Sequence, residues 1–174
     1  MTKMTKKILV PMDGSEASVE ALKYAVKMGE VIGSDAVIVA LEVINLDKYQ
    51  FATDSIDFSI QDKLLEERKK DVENHLNKAK KICEKRGINV ETITLKGFPH
   101  EEIIKYAEDN KDIKLIVMGA SGKGFLDRYI LGSVTSRVVQ EVGRKLPCPV
   151  VITPYSKDPH YSRWNFNEIK GGDK

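Results

Sequence analysis

Short apolar runs alternate along the chain with longer amphipathic segments, and this alternation predicts the fold. Strands are predicted at residues 7–12, 36–44, 88–95, 114–118 and 149–153. Helices are predicted between them at 15–32, 61–86, 99–110 and 133–145. The second helix has one apolar stripe under a charged outer face, made by Leu65, Val72, Leu76, Ala79 and Cys83. Because parallel neighbours need crossover segments, this order predicts a single α/β domain with an open, mainly parallel five-stranded sheet and helices on both faces.

Composition narrows the class of protein. The chain has 174 residues, 41% hydrophobic and 31% charged, which suits one folded domain and excludes a disordered or collagen-like chain. A net charge of only +2 argues against nucleic-acid binding. Cys83 and Cys148 form no CxxC pair, so we expect two buried free thiols in a reducing compartment. No apolar run approaches the roughly 18 residues of a membrane span, so a cytoplasmic location without membrane contact is expected.

Two segments do not follow the alternation. Residues 45–60 make a connection longer than usual, with Tyr49, Phe51 and Phe58, and they fit either a lid or partner surface or a mobile insertion. Residues 155–174 extend beyond the last strand and are rich in aromatic side chains, which predicts that part of this extension docks on something. The main domain is therefore expected over 1–154.

Glycines after the fourth predicted strand indicate an anion site. Ligands of open parallel sheets bind outside the carboxyl ends of the strands. Residues 119–124 contain three glycines and Lys123, and Gly132-Ser133 opens the last helix. Backbone N–H groups in such a loop and at a helix N-terminus both favour a phosphate, so the pair suits a di- or triphosphate. Taken singly, however, the first could be an ordinary loop and Ser133 an ordinary N-cap.

Other motifs for catalysis or phosphate binding are absent or ambiguous. Neither G-x-x-x-x-G-K-[ST] nor G-x-G-x-x-G occurs. Asp13, after the first strand, could accept hydrogen bonds from a ribose or adenine, or could form a capping box with Glu16. The three histidines, at 75, 100 and 160, have no ligand spacing and pair with no nucleophile, so a solvated or hydrogen-bonded histidine is expected at each.

The combined motif resembles the universal stress protein family. It consists of Gly119-x2-Gly122-x9-Gly132-Ser133 together with Pro11-x-Asp13. The segments KKILVPMDGSEAS, GFPHEEIIKYAED, LIVMGASGKG, ILGSVTSRVV and CPVVI resemble the family's corresponding segments in the same order. The resemblance covers nearly all of the chain from Lys6 to Pro154.

This resemblance implies a Rossmann-like, ATP-binding sheet with strand order 3-2-1-4-5. That order agrees with the residues, since the loops after strands 1 and 4 share a ligand only if those strands are neighbours. By similarity, Asp13 would hold the ribose and adenine side, Pro11 and Val43 would line the adenine pocket, and Met118 and Gly119 would pass close to the nucleoside. The phosphates, with a divalent metal such as Mg²⁺ or Mn²⁺, would be held by Gly122, Lys123, Gly132, Ser133, Val134 and Thr135. Family members commonly form homodimers through the last strand, here residues 149–153.

Some positions depart from the family's pattern. Ala120 and Ser121 stand where many members carry a hydroxyl and then a basic or His residue, and the stretch from Gly132 to Pro149 is about one helical turn longer than expected.

Three functions follow as hypotheses. The first is an ATP-binding stress-response or signalling switch, the second a slow ATPase or nucleotidyl-transfer enzyme, and the third a nucleotide-free dimeric module for an unknown protein partner.

Overall fold

A computed structural model describes residues 5–45, 58–120 and 131–154 of the chain. The strands are β1 (Lys6–Met12), β2 (Ala36–Ile44), β3 (Asn89–Lys96), β4 (Ile113–Gly119) and β5 (Val150–Thr153). The helices are α1 (Glu16–Ile32), α2 (Phe58–Glu84), α3 (Pro99–Asp109) and α4 (Ser133–Gln140). Among the described residues, no helix is long and apolar enough to cross a membrane.

The five strands form one sheet in the order β3-β2-β1-β4-β5, and every neighbouring pair is parallel. This confirms the predicted fold class and strand order. From β1 the chain builds outward to β2 and β3, then returns to add β4 and β5 on the other side of β1. The direction of winding therefore reverses between β1 and β4, which is where open α/β sheets place their ligands.

The two faces of the sheet are covered by two apolar layers. One layer packs α1 and α2 onto Ile8, Val10, Ile38 and neighbouring side chains, and the predicted stripe of α2 is buried there through Val72, Leu76, Ala79 and Cys83. The other layer packs α3 and α4 onto Leu9, Val39, Leu41 and Ile116. Because alternate residues of a strand point to opposite faces, odd-numbered residues of β1 and β2 face the α3/α4 layer and even-numbered ones the α1/α2 layer.

Three predicted boundaries are wrong. The long connection was expected to run to residue 60, but α2 already begins at Phe58. That helix also ends at Glu84 rather than at 86. The last helix was expected to reach 145 but ends at Gln140. There the amides of Arg144, Lys145 and Leu146 all converge on the Glu141 carbonyl at 3.0–3.1 Å, which replaces helical bonding by a compact turn.

Several sequence-based expectations fall outside the described residues. They concern Gly122, Lys123 and Ser121, His160, nearly all of the 45–60 connection and the whole 155–174 extension.

Candidate functional site

Asp13 lies immediately after β1, at the carboxyl edge of the sheet. Its Oδ1 accepts hydrogen bonds from the Ser15 N–H at 2.9 Å and from the Ser15 hydroxyl at 2.5 Å. Ser15, not Asp13, is the N-cap of α1, and its Oγ accepts from the Ser18 N–H at 3.1 Å. The capping-box interpretation of Asp13 and Glu16 is therefore wrong, because the short Asp13–Ser15 turn places Asp13 two residues ahead of the cap.

The start of α4 is fixed against the end of β4. The Gly132 N–H donates to the Ala120 carbonyl at 2.8 Å, and the Thr135 hydroxyl donates to the Gly119 carbonyl at 3.0 Å. Gly132 is the N-cap residue, and no side chain of the described residues caps the helix. The interpretation of Ser133 as an ordinary N-cap is therefore wrong. Its exposed side chain stands on the first residue of α4, beside backbone N–H groups that suit a phosphate.

Apolar predicted site residues share one face of the sheet. The ladder between β1 and β4 runs to Leu9 opposite Ile116, so Pro11 and Met118 are each two residues further along their strands. Val43 follows the Met12–Glu42 pair on the β2 side. Val43 and Met118 are buried in the α3/α4 layer, and Val134 packs against it. The structure thus brings these side chains to the carboxyl edge of the sheet on the same face.

Gly119 allows the start of α1 to approach β4. A Cβ on Gly119 would lie 2.9 Å from the Ala17 carbonyl oxygen and 3.0 Å from the Ala17 carbonyl carbon and Cβ. Real Cβ atoms almost never come this close to backbone atoms, so only glycine fits without a shift. This contact holds the N-terminus of α1, the turn carrying Asp13, and the end of β4 together.

A polar cluster that the sequence analysis missed lies near the end of β2. Its centre is Glu42, which is 1% exposed and whose carboxylate contacts the side chains of Arg68 and His75 of α2. A signal was present in the sequence, because Glu42 is the one charge in an otherwise apolar strand. Arg68 and His75 also fall on the same three- and four-residue spacing as Val72 and Ala79.

A separate cavity of about 390 Å³ lies between α2 and the β2–β3 side of the sheet. It is lined by Ile44, Lys69, Val72, Glu73, Leu76, Asn77, Thr92 and Thr94. No described residue of the predicted site lines it, so it is distinct from the β1–β4 edge. Within the described ranges, no group of three or more His, Cys, Asp or Glu side chains could hold a metal ion.

A family model matches the fold and the motif together. The model of the universal stress protein family matches residues 4–154, which include both the sheet and the glycine motif. The chain belongs to the universal stress protein family.

Two archaeal members of the family from Methanocaldococcus jannaschii are similar over most of the chain. Universal stress protein MJ0531 is 35% identical over 152 residues, covering 87% of this chain and 84% of its own. Universal stress protein MJ0577 is 36% identical over 157 residues, covering 81% of this chain and 92% of its own. The solved structure of MJ0577 superposes with a TM-score of 0.74 and covers 89% of this chain and 99% of its own, at 31% identity.

A family protein from Arabidopsis thaliana, solved with AMP bound, has a TM-score of 0.61 and 19% identity. It covers 88% of this chain and 94% of its own. At that identity the likeness shows the shared fold.

Proposed function

We propose that this member of the family is a cytoplasmic ATP-binding protein whose nucleotide state acts as a switch in a stress response. One observation carries the proposal. The N-terminus of α4, which no described side chain caps, is joined to the end of β4 by the Gly132–Ala120 and Thr135–Gly119 hydrogen bonds, and β4 is the neighbour of β1, which Asp13 follows. Backbone N–H groups suited to a phosphate and a carboxylate suited to hydroxyl groups thus flank the point where the sheet reverses its direction of winding.

Each part of the nucleotide has a group suited to it. Asp13 would accept hydrogen bonds from the ribose and adenine side, while Pro11, Val43, Met118 and Gly119 would surround the nucleoside. The α4 N-terminus with Ser133, Val134 and Thr135 would bind phosphate, together with Gly122 and Lys123. A Mg²⁺ or Mn²⁺ ion would be held chiefly by the phosphates and hydroxyls, since Mg²⁺ sites commonly use substrate phosphates rather than an all-protein cage. The AMP-bound Arabidopsis relative supports an adenine nucleotide as the ligand.

Native mass spectrometry of the desalted protein, before and after addition of Mg-ATP, tests this function. We expect one ATP-sized mass per subunit. Gly132→Val and Gly122→Val should each abolish binding without unfolding the protein, because a branched side chain would stand where the phosphates approach the backbone.

Serine variants of α4 provide a matched pair for the same measurement. Ser133→Ala should weaken Mg-ATP binding severalfold, whereas Ser136→Ala, one turn further along the helix, should leave it unchanged. If the wild type takes up no adenine nucleotide, the proposed function is wrong. If it binds ATP but both glycine variants bind equally well, the site is elsewhere. ADP release in proportion to protein would instead favour the slow ATPase.

The homodimer expected from the family is also a proposal. We propose that it forms through β5, which lies at one end of the strand order and has no strand on its other side among the described residues. An open edge presents backbone donors and acceptors that a second copy can pair with.

A further inference from the structure

Helix α2 directs two polar side chains into the layer between itself and the sheet. The Arg68 Nη2 donates to Oε1 of Glu42 at 2.7 Å, and the His75 Nδ1 lies 3.1 Å from both oxygens of the same carboxylate. Glu42 is almost fully buried, while the side chains of Arg68 and His75 are only 22% and 23% exposed. A carboxylate in this position must be paired, so the contact fixes α2 to β2.

The Glu42 carboxylate also determines how the imidazole is oriented. An ionised carboxylate only accepts hydrogen bonds, so the His75 Nδ1 must carry a proton and donate it. This leaves Nε2 and Cδ2, the ring atoms farthest from Nδ1, directed away from Glu42.

The Nδ1–Cε1–Nε2 side of the ring lies against Gly14, the residue that follows Asp13. A Cβ on Gly14 would be 2.1 Å from Cε1, 2.3 Å from Nε2 and 2.7 Å from Nδ1 of His75, and Gly14 has a φ of +76°. Both the left-handed backbone and the ring contact therefore require glycine here. The imidazole thus fills the space next to the turn in which Ser15 binds the Asp13 carboxylate.

We propose that His75 is a positioning residue of the nucleotide site, oriented by Glu42 and supporting the Asp13–Ser15 turn from the α1/α2 side of the sheet. Gly14 lies between Asp13 and Ser15, so the ring contacts the turn that holds the Asp13 carboxylate. A carboxylate that binds hydroxyl groups must be held closely in place by its supporting residues. This inference rests on the proposed function, and it assigns to α2 a part in binding the nucleoside.

The proposal predicts which ligands should bind more weakly when the His75 ring is removed. Loss of the ring support acts on Asp13, so adenosine, AMP and Mg-ATP should all lose affinity by a similar factor. Tripolyphosphate contacts only the phosphate end and should bind as before.

The test compares His75→Asn with the wild type and with Asn74→Ala, the exposed neighbour on the same helix. Asparagine places an N–H donor near the position of Nδ1, so it can still bind Glu42, but it lacks Cε1 and Nε2, the two ring atoms nearest to the Gly14 Cβ position. We expect His75→Asn to keep the wild-type unfolding midpoint and to lose about tenfold in adenosine and Mg-ATP affinity by calorimetry, as for one lost hydrogen bond. Asn74→Ala should change neither.

Other outcomes overturn the inference in distinguishable ways. Wild-type adenosine affinity in His75→Asn would show that the ring does not position Asp13. Equal losses for adenosine and tripolyphosphate would show a general loosening of the site instead. A wild type that binds no adenine nucleotide would refute the proposed function itself. His75→Ala, which also breaks the contact to Glu42, should lower the unfolding midpoint.

Discussion

At the scale of single residues, the two thiols show how burial controls reactivity. Cys83, near the end of α2, is completely buried, and burial, with a smaller contribution from Glu84, raises its pKa from 9.0 to about 12. Burial also raises the pKa of Cys148, against the opposing effect of Lys114. Both are free cysteines, as predicted. Since the thiolate is the reactive form, neither is suited to catalysis or redox sensing.

The thiols should therefore resist labelling in the folded protein. At pH 8 a thiol with the pKa of Cys83 is ionised in only about one molecule in ten thousand. We expect slow reaction with a chromogenic disulfide reagent in native buffer and immediate reaction of both thiols in denaturant. Rapid native labelling that disappears in Cys83→Ser would contradict this.

The same shift gives a direction for stability against pH. The unfolded chain ionises Cys83 near its ordinary pKa of 9.0, whereas the folded chain keeps the proton up to about 12. Stability should therefore fall as pH rises through this window, and less steeply in Cys83→Ser. Urea unfolding at pH 8, 9.5 and 10.5 measures this difference.

At the scale of secondary-structure elements, two glycines differ in whether the packing around them leaves room for a side chain. A Cβ on Gly119 would lie 2.9 Å from the Ala17 carbonyl oxygen, whereas a Cβ on Gly29, in α1, would lie at ordinary distances of 3.5–3.6 Å from Ile88 and Ala36. Gly119 is needed for the packing of α1 on β4. Gly29 has no such role, and it loses more conformational entropy on folding than an alanine in a helix would.

The matched substitutions Gly119→Ala and Gly29→Ala should consequently differ in sign. We expect Gly119→Ala to destabilise the fold by about 1–3 kcal/mol, because α1 must move away from β4. Gly29→Ala should be neutral or stabilise the fold by up to about 1 kcal/mol, since alanine is the better helix former. Urea unfolding of both variants tests this, and a neutral Gly119→Ala would show that the α1–β4 contact is loose.

At the scale of the whole molecule, β5 determines how a second copy could bind. The carbonyls of Pro149 and Thr153 accept from the N–H groups of Ile116 in β4 and of Ala120 just after it, each at 3.0 Å. Because the N–H and C=O groups of alternate strand residues point to opposite sides, those of Val150 and Ile152 point away from β4.

Ile152→Pro should therefore disrupt the proposed homodimer without breaking the bonds to β4. Proline removes one outward donor, and edge strands tolerate it. We expect a monomer by light scattering for Ile152→Pro and a dimer for Ile152→Ala, which keeps the N–H group. A dimeric Ile152→Pro variant would move the interface away from this edge.

The sequence by itself determined the class of fold and the family, and the strand order was predicted through the resemblance to that family. Apolar periodicity indicates which segments are strands or helices, and the spaced glycine motif carries the resemblance. Predictions at the ends of elements were weaker. Tertiary hydrogen bonds decide where α4 ends, and the turn chosen by the backbone decides that Ser15 rather than Asp13 caps α1.

Only the tertiary structure brought together Glu42, Arg68, His75 and Gly14. These residues are 26 to 33 positions apart between β2 and α2, and His75 is 61 residues from Gly14. Periodicity places each of them on an element but says nothing of which element lies opposite. The packing of α2 across β2 and the turn after β1 decides which element lies opposite. A buried carboxylate must be paired, so α2 packs over Glu42 where Arg68 and His75 contact it.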